Sequence, residues 1–379
     1  MSNYSYAAAG AVAPSVLQHL ARHVDSARNR GEEDIASIPD EPAIARMIDA
    51  AFWASLRREE GIQPKISLAF LPRDEAVYPL VLERSVPLEP AALTRLAAIV
   101  ERPGVHLGVA YQEGVLLVWG MVRTIPKYCC VVEVAEPGLL VIKHHRGEAQ
   151  AKFVNVAVLQ GDTVKVIDED ASSLPDCPSL LTSLLAFDSP STWAANINVL
   201  VQLAVSMREH GRGGVLLVVP DDSDAWRQSI VHPLNYEVSP PFTELAMLAT
   251  GPASGVSHRA WREELNRAVD AVASLTAVDG ATIVTGGYHV LTFGAKVARR
   301  KGSTQIEQLT LTEPIEGSDA RVLSPGDIGA TRHLAGAQFI HDQHDALALV
   351  ASQDGRFTVF AWSPCEGMVH AHRIETLLL

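Results

Sequence analysis

Residues 213–220 read GGVLLVVP, an apolar run without a single charged or hydrogen-bonding side chain. A strand with one solvated face alternates apolar and polar residues, so a continuous run predicts a strand that is buried on both faces. Such a strand needs packed layers on both sides of its sheet. Helical patterns precede and follow this run, and we therefore expect the second half to be an α/β domain with a mixed central sheet flanked by helices.

The first half has a different pattern, in which helices come first and short strands follow. Asp40 and Pro42 are typical of a helix start, and they predict a helix over 40–61 that ends at Gly61. Apolar residues at a spacing of four predict its buried stripe. These residues are Ile44, Ile48, Phe52 and Leu56. Strands are predicted at 66–71, 105–111, 115–120, 130–135, 138–143, 151–159 and 163–167.

This order of elements predicts an α+β N-terminal domain, with helices followed by largely antiparallel strands, over residues 1–175. The segment 168–179 is rich in Asp, Ser and Pro, which is typical of a linker. A second domain is then expected over 180–379. Two domains also agree with the length of 379 residues.

Charge and cysteine content limit the classes of partner. The net charge of −13 argues against binding in the groove of DNA or RNA, because such proteins need a basic face. The four cysteines lack metal-ligand spacing, and we expect reduced, buried thiols in a cytoplasmic protein. They are Cys129, Cys130, Cys177 and Cys365. No basic segment opens the chain and no apolar run is long enough to cross a bilayer, so neither secretion nor membrane insertion is expected.

The first chemical motif is VDGATIV, in which Asp279, Gly280 and Ala281 open a predicted strand. The Asp279 carboxylate would lie at the sheet edge, and Gly280 would let another group approach the backbone. A carboxylate in that setting suits Mg²⁺ or Mn²⁺ holding a phosphate. An ordinary Asp-Gly turn between a helix and a strand is the alternative interpretation.

The second motif is GATRHLAG, residues 329–336. Thr331, Arg332 and His333 place a hydroxyl, a guanidinium and an imidazole in consecutive positions, and a guanidinium binds phosphate oxygens in pairs. A helix predicted over 334–339 would add free N–H groups and the positive end of its dipole. The alternative is a polar helix start with a surface arginine.

Together and in order, these segments resemble the diadenylate cyclase domain, which joins two ATP molecules into cyclic di-AMP. GGVLLVV is similar to that family's buried GALIV-type strand, and VDGATIV matches its D-G-A motif. The family's G-T-R-H-R-A-A motif is matched at Gly329, Thr331, Arg332, His333 and Ala335, with Ala330 as an extra residue. The resemblance covers about residues 195–365. It implies a diadenylate-cyclase-like fold for the second domain and a nucleotide-binding site at Asp279, Gly280, Ala281, Gly329, Thr331, Arg332 and His333, with any Mg²⁺ or Mn²⁺ held by Asp279.

The departures from that family concern catalysis more than binding. Leu334 replaces the second arginine, and Gln353 and Asp354 replace a pair of glutamates, one of which helps hold the metal in the cyclases. The insert 298–326 also separates the two motifs more widely; it begins ARRKGS and is expected to end in an acidic loop. Cyclisation needs a metal that aligns the reacting groups, whereas binding needs only a base slot and a phosphate cradle.

Segments of the first half resemble a divergent branch described as a probable sensor domain, DACNV. They are AFWASLRREEG, EGVLLVWG and EPGLLVI, and TFGAKV and GRGGVLLVVP of the second half are similar to the same branch. Members of that branch are predicted to sense nucleotide signals. The resemblance therefore implies a sensor for a nucleotide or cyclic dinucleotide, coupled to an unknown effector protein.

Three hypotheses stay open at this point. The first is a nucleotide sensor built on a catalytically degraded domain. The second is an active diadenylate cyclase that uses Asp279 and Asp354 with Mg²⁺ or Mn²⁺, and that works as a homodimer because each active site contributes one ATP. The third is a scaffold or interaction protein with a vestigial pocket.

Several other residues suggest chemistry and are given simpler interpretations. His341 and His344 lack a clear third ligand and are expected to be solvated, and His370 and His372 are expected to share one strand face without a metal. The basic run 299–301 is expected in a solvated loop. Trp53 and Trp119 are expected in the core.

Overall fold

The computed structural model describes residues 4–102, 104–145, 153–168, 199–252, 257–353 and 356–375. The chain divides into two compact units, with the boundary between Ile167 and Asp168. Nearly all of the segment predicted as a linker lies outside the described residues, and so do Cys177 and Asp354. In the part of the chain that is described, no helix has the length and apolarity needed to cross a membrane.

Among its described residues, the first unit consists of three α-helices and an eight-stranded sheet. The helices are α1 (Ala7–Asn29), α2 (Glu41–Ser55) and α3 (Pro90–Leu96). The strands are β1 (Ser67–Phe70), β2 (Leu80–Pro87), β3 (His106–Gln112), β4 (Val115–Val122), β5 (Cys130–Glu136), β6 (Leu139–His145), β7 (Phe153–Gln160) and β8 (Thr163–Val166). The strand order is β2-β4-β3-β1-β5-β6-β7-β8, in which β1 and β3 are parallel and the other described neighbours are antiparallel.

Helix α2 begins as predicted and ends earlier. The Asp40 carboxylate accepts a hydrogen bond of 2.9 Å from the backbone N–H of Ala43, which satisfies one of the free donors of the first turn. Ile44 and Ile48 are fully buried. Because the helix ends at Ser55, Leu56 lies beyond the buried stripe and is 50% exposed, so its predicted burial is wrong.

The two tryptophans of this unit differ in burial. Trp119 is buried as predicted, and its indole N–H donates to the Leu71 carbonyl at 2.8 Å. Trp53 is 38% exposed, which contradicts its predicted core position. Cys129 and Cys130 are free and buried, and burial raises the pKa of both thiols.

The second unit consists of five helices and a nine-stranded sheet among the described residues. The helices are α4 (Val199–Glu209), α5 (Glu244–Ala249), α6 (His258–Leu275), α7 (Pro325–Ile328) and α8 (Thr331–Asp342). The strands are β9 (Gly214–Val219), β10 (Tyr236–Phe242), β11 (Ala281–Thr285), β12 (Val290–Ala295), β13 (Leu309–Thr312), β14 (Arg321–Leu323), β15 (Leu347–Ala351), β16 (Arg356–Ser363) and β17 (Met368–Glu375). Their order is β10-β12-β11-β9-β15-β16-β17-β13-β14.

Strand β9 is buried along its whole length, as the apolar run predicts. Leu216 and Val218 pack in one cluster with residues of α4 and α6. Val215 and Leu217 pack in another cluster with residues of α8. Successive side chains thus enter cores on opposite faces, and a mixed sheet flanked by helices is confirmed.

The strand directions place the described chain in the α+β class. In the second sheet only β9 with β11 and β13 with β17 are parallel among the described neighbours, and the remaining pairs are antiparallel. Both sheets are mixed and open. The regular βαβ alternation of an α/β domain is therefore replaced by hairpins over much of the second unit.

The insert 298–326 contains regular structure instead of ending in a loop alone. Strand β13 pairs with β17, and β14 pairs with β13, so the insert extends the sheet by two strands. A stretch as short as Leu309–Thr312 has too few residues for its alternating pattern to distinguish a strand from a loop.

Candidate functional site

The two motifs converge on one end of the second sheet. Strands β9 and β11 run parallel, and Ala281 lies beside Val215. Asp279 and Gly280 lead into β11, and Gly213 precedes β9, so these residues lie at the same end of the sheet. On the other side of β9, Ala351 of β15 lies opposite Gly214. We call this end of the sheet, formed by Gly213, Asp279, Gly280, Arg332 and Ala351, the motif edge.

Arg332 brings the second motif to this edge. Its Nη1 atom lies 2.9 Å from the point that a Cβ atom on Gly213 would occupy, and the Ala351 carbonyl oxygen lies 3.0 Å from the same point. No carboxylate within the described ranges is close enough to form a salt bridge with Arg332. The guanidinium is therefore available to an anion at the edge of the sheet.

Gly280 fits its position because it has no side chain. Its φ of +109° is one that residues with a Cβ rarely adopt, and an added Cβ would lie 2.5 Å from the carbonyl carbon of Gly294. The turn holds Asp279 at the surface, where its carboxylate forms no hydrogen bond or ion pair with another described residue. Among the described residues, the structure thus presents a carboxylate and a guanidinium without ion-pair partners at the same end of the sheet.

Helix α8 begins at Thr331, three residues before the predicted start at residue 334. Thr331, Arg332 and His333 therefore occupy its first turn. The His333 backbone N–H donates to the Ala330 carbonyl at 2.9 Å, whereas those of Thr331 and Arg332 precede the first hydrogen bond of the helix. The N-cap is Ala330, and it provides no side-chain hydrogen bond. This positive, uncapped end adds to the attraction of the Arg332 charge for an anion.

Three of the predicted site residues face the interior. His333 is 3% exposed, and its ring packs edge-on against Phe360 with centroids 6.2 Å apart. An added Cβ on Gly329 would overlap the His333 ring, so this glycine makes room for the packed imidazole. The Ala281 side chain is also buried. The sequence pattern does not separate these packing roles from phosphate contacts. Asp279 and Thr331 are exposed, and Gly280 and Arg332 are half-buried.

Two further residues, Arg212 and His210, lie at the motif edge and were not predicted from the sequence. His210 contacts the Thr276 hydroxyl at 3.1 Å, and its pKa is lowered by burial and by the charges of Arg212 and Arg332. The Gln353 side chain donates to the Arg212 carbonyl at 3.2 Å. The sequence contains a clue in HGRGG, because His210 and Arg212 directly precede the buried strand.

The described donors do not form the oxygen-rich set that Mg²⁺ or Mn²⁺ prefers. Asp279 belongs to no group of three potential metal ligands among the described residues. At the motif edge it is accompanied by the amide of Gln353 and by guanidinium groups, whereas hard divalent cations favour several carboxylate or carbonyl oxygens. Asp354 lies outside the described residues.

A cavity of about 520 Å³ lies at the opposite end of β9. Val219 and Pro220 line it where β9 ends, and Ala346 lines it just before β15 begins. Arg300 and Lys301 of the insert also line it. The basic run that was expected in a solvated loop therefore borders a concave surface.

Asp342 fixes the loop that carries these cations. This carboxylate is buried, and it accepts a 2.8 Å hydrogen bond from the Arg300 backbone N–H and a 3.1 Å hydrogen bond from the Gln338 amide. The Ser303 hydroxyl is a further donor to it. The position of Asp342 within α8 thus gives it a structural role.

The remaining histidines of this unit have protein partners. His370 contacts a Glu366 carboxylate oxygen at 2.8 Å, and His372 contacts the Thr312 hydroxyl at 2.7 Å. His344 stacks on Trp362 with ring centroids 3.6 Å apart. None of these histidines joins a group of three potential metal ligands within the described ranges.

Comparison with known proteins identifies a match in the first unit. A family model described as "Probable sensor domain DACNV" matches residues 33–123, about a quarter of the chain. The match runs from the residues before α2 to the end of β4 and includes AFWASLRREEG and EGVLLVWG. It does not reach EPGLLVI, GRGGVLLVVP or the two motifs. No curated protein matches the chain.

Proposed function

We propose that this protein is a sensor whose second unit binds an anionic nucleotide, such as a cyclic dinucleotide, at the motif edge. The observation that carries the proposal is the position of Arg332 beside Gly213, on the same edge as the Asp279–Gly280 turn. The match of residues 33–123 to a probable sensor domain supports the sensing role.

The charges at this edge favour phosphate over a neutral ligand. Arg332 has no salt-bridge partner in the described part of the chain, and a guanidinium can donate two parallel hydrogen bonds to phosphate oxygens. Arg212 and His210 add further donors nearby. The start of α8, which has no side-chain cap, supplies backbone N–H groups that also favour an anion. A small basic site of this kind is compatible with a chain of net charge −13.

Binding without turnover is the form of the proposal that these residues favour. Cyclisation of ATP needs a metal that stabilises charge on the reacting phosphate. The described donors around Asp279 do not provide a metal site, and Leu334, which replaces the second arginine of the cyclase motif, is an exposed apolar side chain. Neither change removes the guanidinium or the helix start that would hold phosphate.

A second location for the ligand is supported by the cavity at the other end of β9. Its volume of about 520 Å³ is within the range of small-molecule sites, and Arg300 and Lys301 provide positive charge at its wall. We favour the motif edge over this cavity. Asp342, which holds the loop that carries Arg300, is itself part of the cavity wall. This buried carboxylate would repel a phosphate placed beside it.

The direct experiment is a thermal melt of the full-length protein with a nucleotide panel, with and without Mn²⁺, followed by mass spectrometry of each sample. The panel contains cyclic dinucleotides, ATP and ADP. A ligand at 100 times its Kd adds about 2.7 kcal/mol to the stability of the folded state. In a chain of this size that is a shift of several degrees, at about 2–4 °C per kcal/mol.

Each result has a distinct meaning for the proposal. A shift with the nucleotide recovered intact supports the sensor and identifies its ligand class. Conversion of ATP into a cyclic product would replace the proposal with the cyclase alternative. If no nucleotide shifts the melt at millimolar concentration, the pocket is vestigial and the scaffold hypothesis is favoured.

A further inference from the structure

Three histidines of the first unit converge in a place that the two motifs do not use. His19 and His23 are four residues apart on α1 and therefore lie on the same face of the helix. Their rings are stacked, with centroids 4.5 Å apart. His144, near the end of β6, has its ring centroid 5.0 Å from that of His23 and 5.9 Å from that of His19.

The nitrogen atoms of these rings come close enough to share one ion. One ring nitrogen from each histidine lies within 4.8 Å of those of the other two. Among the described residues, these three histidines are the group of potential metal ligands whose ligand atoms all lie within 4.8 Å of one another. A tetrahedral zinc site holds its nitrogen ligands at about 2.0–2.1 Å from the metal, so modest rotations of the rings would complete the contact.

The setting of this cluster is mostly buried. His144 is fully buried and His19 is 6% exposed, while His23 is partly exposed. The partly exposed position of His23 provides a path by which an ion can enter.

Tyr128 forms another wall of the cluster. Its ring stacks on that of His144 with centroids 5.5 Å apart. Its hydroxyl is directed elsewhere, towards Arg30 at 3.1 Å and Glu32 at 3.4 Å. The Tyr128 hydroxyl thus contacts residues that follow α1, and the three imidazoles form the set of candidate metal ligands.

We infer that His19, His23 and His144 form a binding site for one divalent transition-metal ion of the zinc type, which ties α1 to β6. Three neutral imidazoles suit Zn²⁺, Cu²⁺, Ni²⁺ or Co²⁺, whereas Mg²⁺ and Ca²⁺ prefer oxygen ligands. Three protein ligands leave a fourth position for water or another small ligand. All three histidines lie outside residues 33–123, so the family match gives no information about this site.

The test is a Zn²⁺ titration of full-length protein that has been stripped with a chelator, using a chromophoric chelator as competitor. The wild type should bind one ion per chain at this site, and its melting temperature should rise when Zn²⁺ is added. The His23→Gln and His144→Gln variants should bind at least about 10-fold more weakly, the lower limit of the loss seen when only a supporting residue of a metal site is removed.

His145→Gln is the matched control because His145 is the next residue on β6 and its side chain points to the opposite face. This variant should retain the wild-type affinity. Far-UV circular dichroism shows whether each variant folds. If H144Q does not fold, because His144 is fully buried, the zinc affinity of H23Q alone decides whether the cluster binds metal. Absence of saturable binding of Zn²⁺, Cu²⁺, Ni²⁺ and Co²⁺ by folded protein, or unchanged affinity in H23Q, would overturn the inference.

Discussion

The guanidinium of Arg332 lies beside Gly213, 2.9 Å from the position that a Cβ atom would take on that glycine. These residues are 119 positions apart in the sequence. They come together because α8, which carries Arg332, packs against β9 and β15 of the second sheet. Gly213 also has a φ of +69°, so its backbone conformation and its neighbour both favour glycine. The motif edge is thus a consequence of topology and close packing.

Replacing Gly280 with alanine should destabilise the second unit more than the same change at Gly302. Both glycines have positive φ, which costs about 1–3 kcal/mol for a residue with a side chain. At Gly280 the new Cβ also meets the Gly294 backbone at 2.5 Å, whereas nothing lies within 4 Å at Gly302. We expect G280A to lose at least about 1 kcal/mol more than G302A in urea unfolding. Equal losses would show that the close approach does not matter.

Asp40→Ala should lower the stability of the first unit by about 1 kcal/mol, because α2 loses its N-cap acceptor. Asp40→Asn keeps an oxygen that can accept from the Ala43 N–H, and it should retain most of the stability. The midpoint of chemical unfolding, measured for both variants, tests this. A wild-type midpoint in D40A would contradict the role given to the cap.

His106 should make the first unit less stable as the pH falls below about 6.5. Burial, with a contribution from the charge of Lys143, lowers the pKa of His106 from 6.5 to about 4. The unfolded chain therefore binds the proton more readily, and the stability present above pH 6.5 is lost as the pH falls towards 4. The loss at pH 5 is about 2 kcal/mol.

The His106→Gln variant isolates this effect from other titrating groups. Its unfolding free energy should depend less steeply on pH between 6.5 and 5 than that of the wild type. If H106Q keeps the wild-type slope, the lowered pKa of His106 is not the cause.

Asp279→Asn distinguishes direct phosphate binding from binding through a metal. Without a metal bridge, the Asp279 carboxylate only repels a phosphate bound near Arg332. Its removal should therefore leave the nucleotide affinity unchanged or raise it by up to about fivefold, because exposed charges a few ångströms apart interact by about 1 kcal/mol. The measurement is a binding titration in the presence of a chelator and again with Mn²⁺. A loss of tenfold or more confined to the Mn²⁺ titration would indicate that Asp279 holds a metal.

The fold is predicted best where a pattern has one structural solution. The apolar run of β9 admits a strand buried on both faces, and Asp40 with Pro42 marks the start of α2. The end of α2 is predicted less well. The helix ends at Ser55, and no residue between Ser55 and Gly61 is a helix-stop signal that marks this position in the sequence. Strands β13 and β14 of the insert are missed because each is too short to show a period.

The site follows the same division. Order and spacing single out Asp279 and Arg332 as candidate site residues, but they do not show that His333 turns inward against Phe360. His210 and Arg212 join the edge only through the pairing of β9 with its neighbours. The cluster of His19, His23 and His144 depends on the contact of a helix with a strand more than 100 residues later, which no local pattern in the sequence predicts.

The most direct test of the central proposal is the affinity of the Arg332→Ala variant for the nucleotide selected by the thermal panel, measured by isothermal titration. Loss of a charged hydrogen bond costs about 1.5–3 kcal/mol, so the Kd should rise about 10- to 150-fold. Arg267→Ala, which removes an exposed arginine paired with Glu264 on α6, and Lys301→Ala in the cavity should both bind like the wild type. Wild-type affinity in R332A would contradict a phosphate site at the motif edge, and a loss in K301A instead would place the ligand in the cavity.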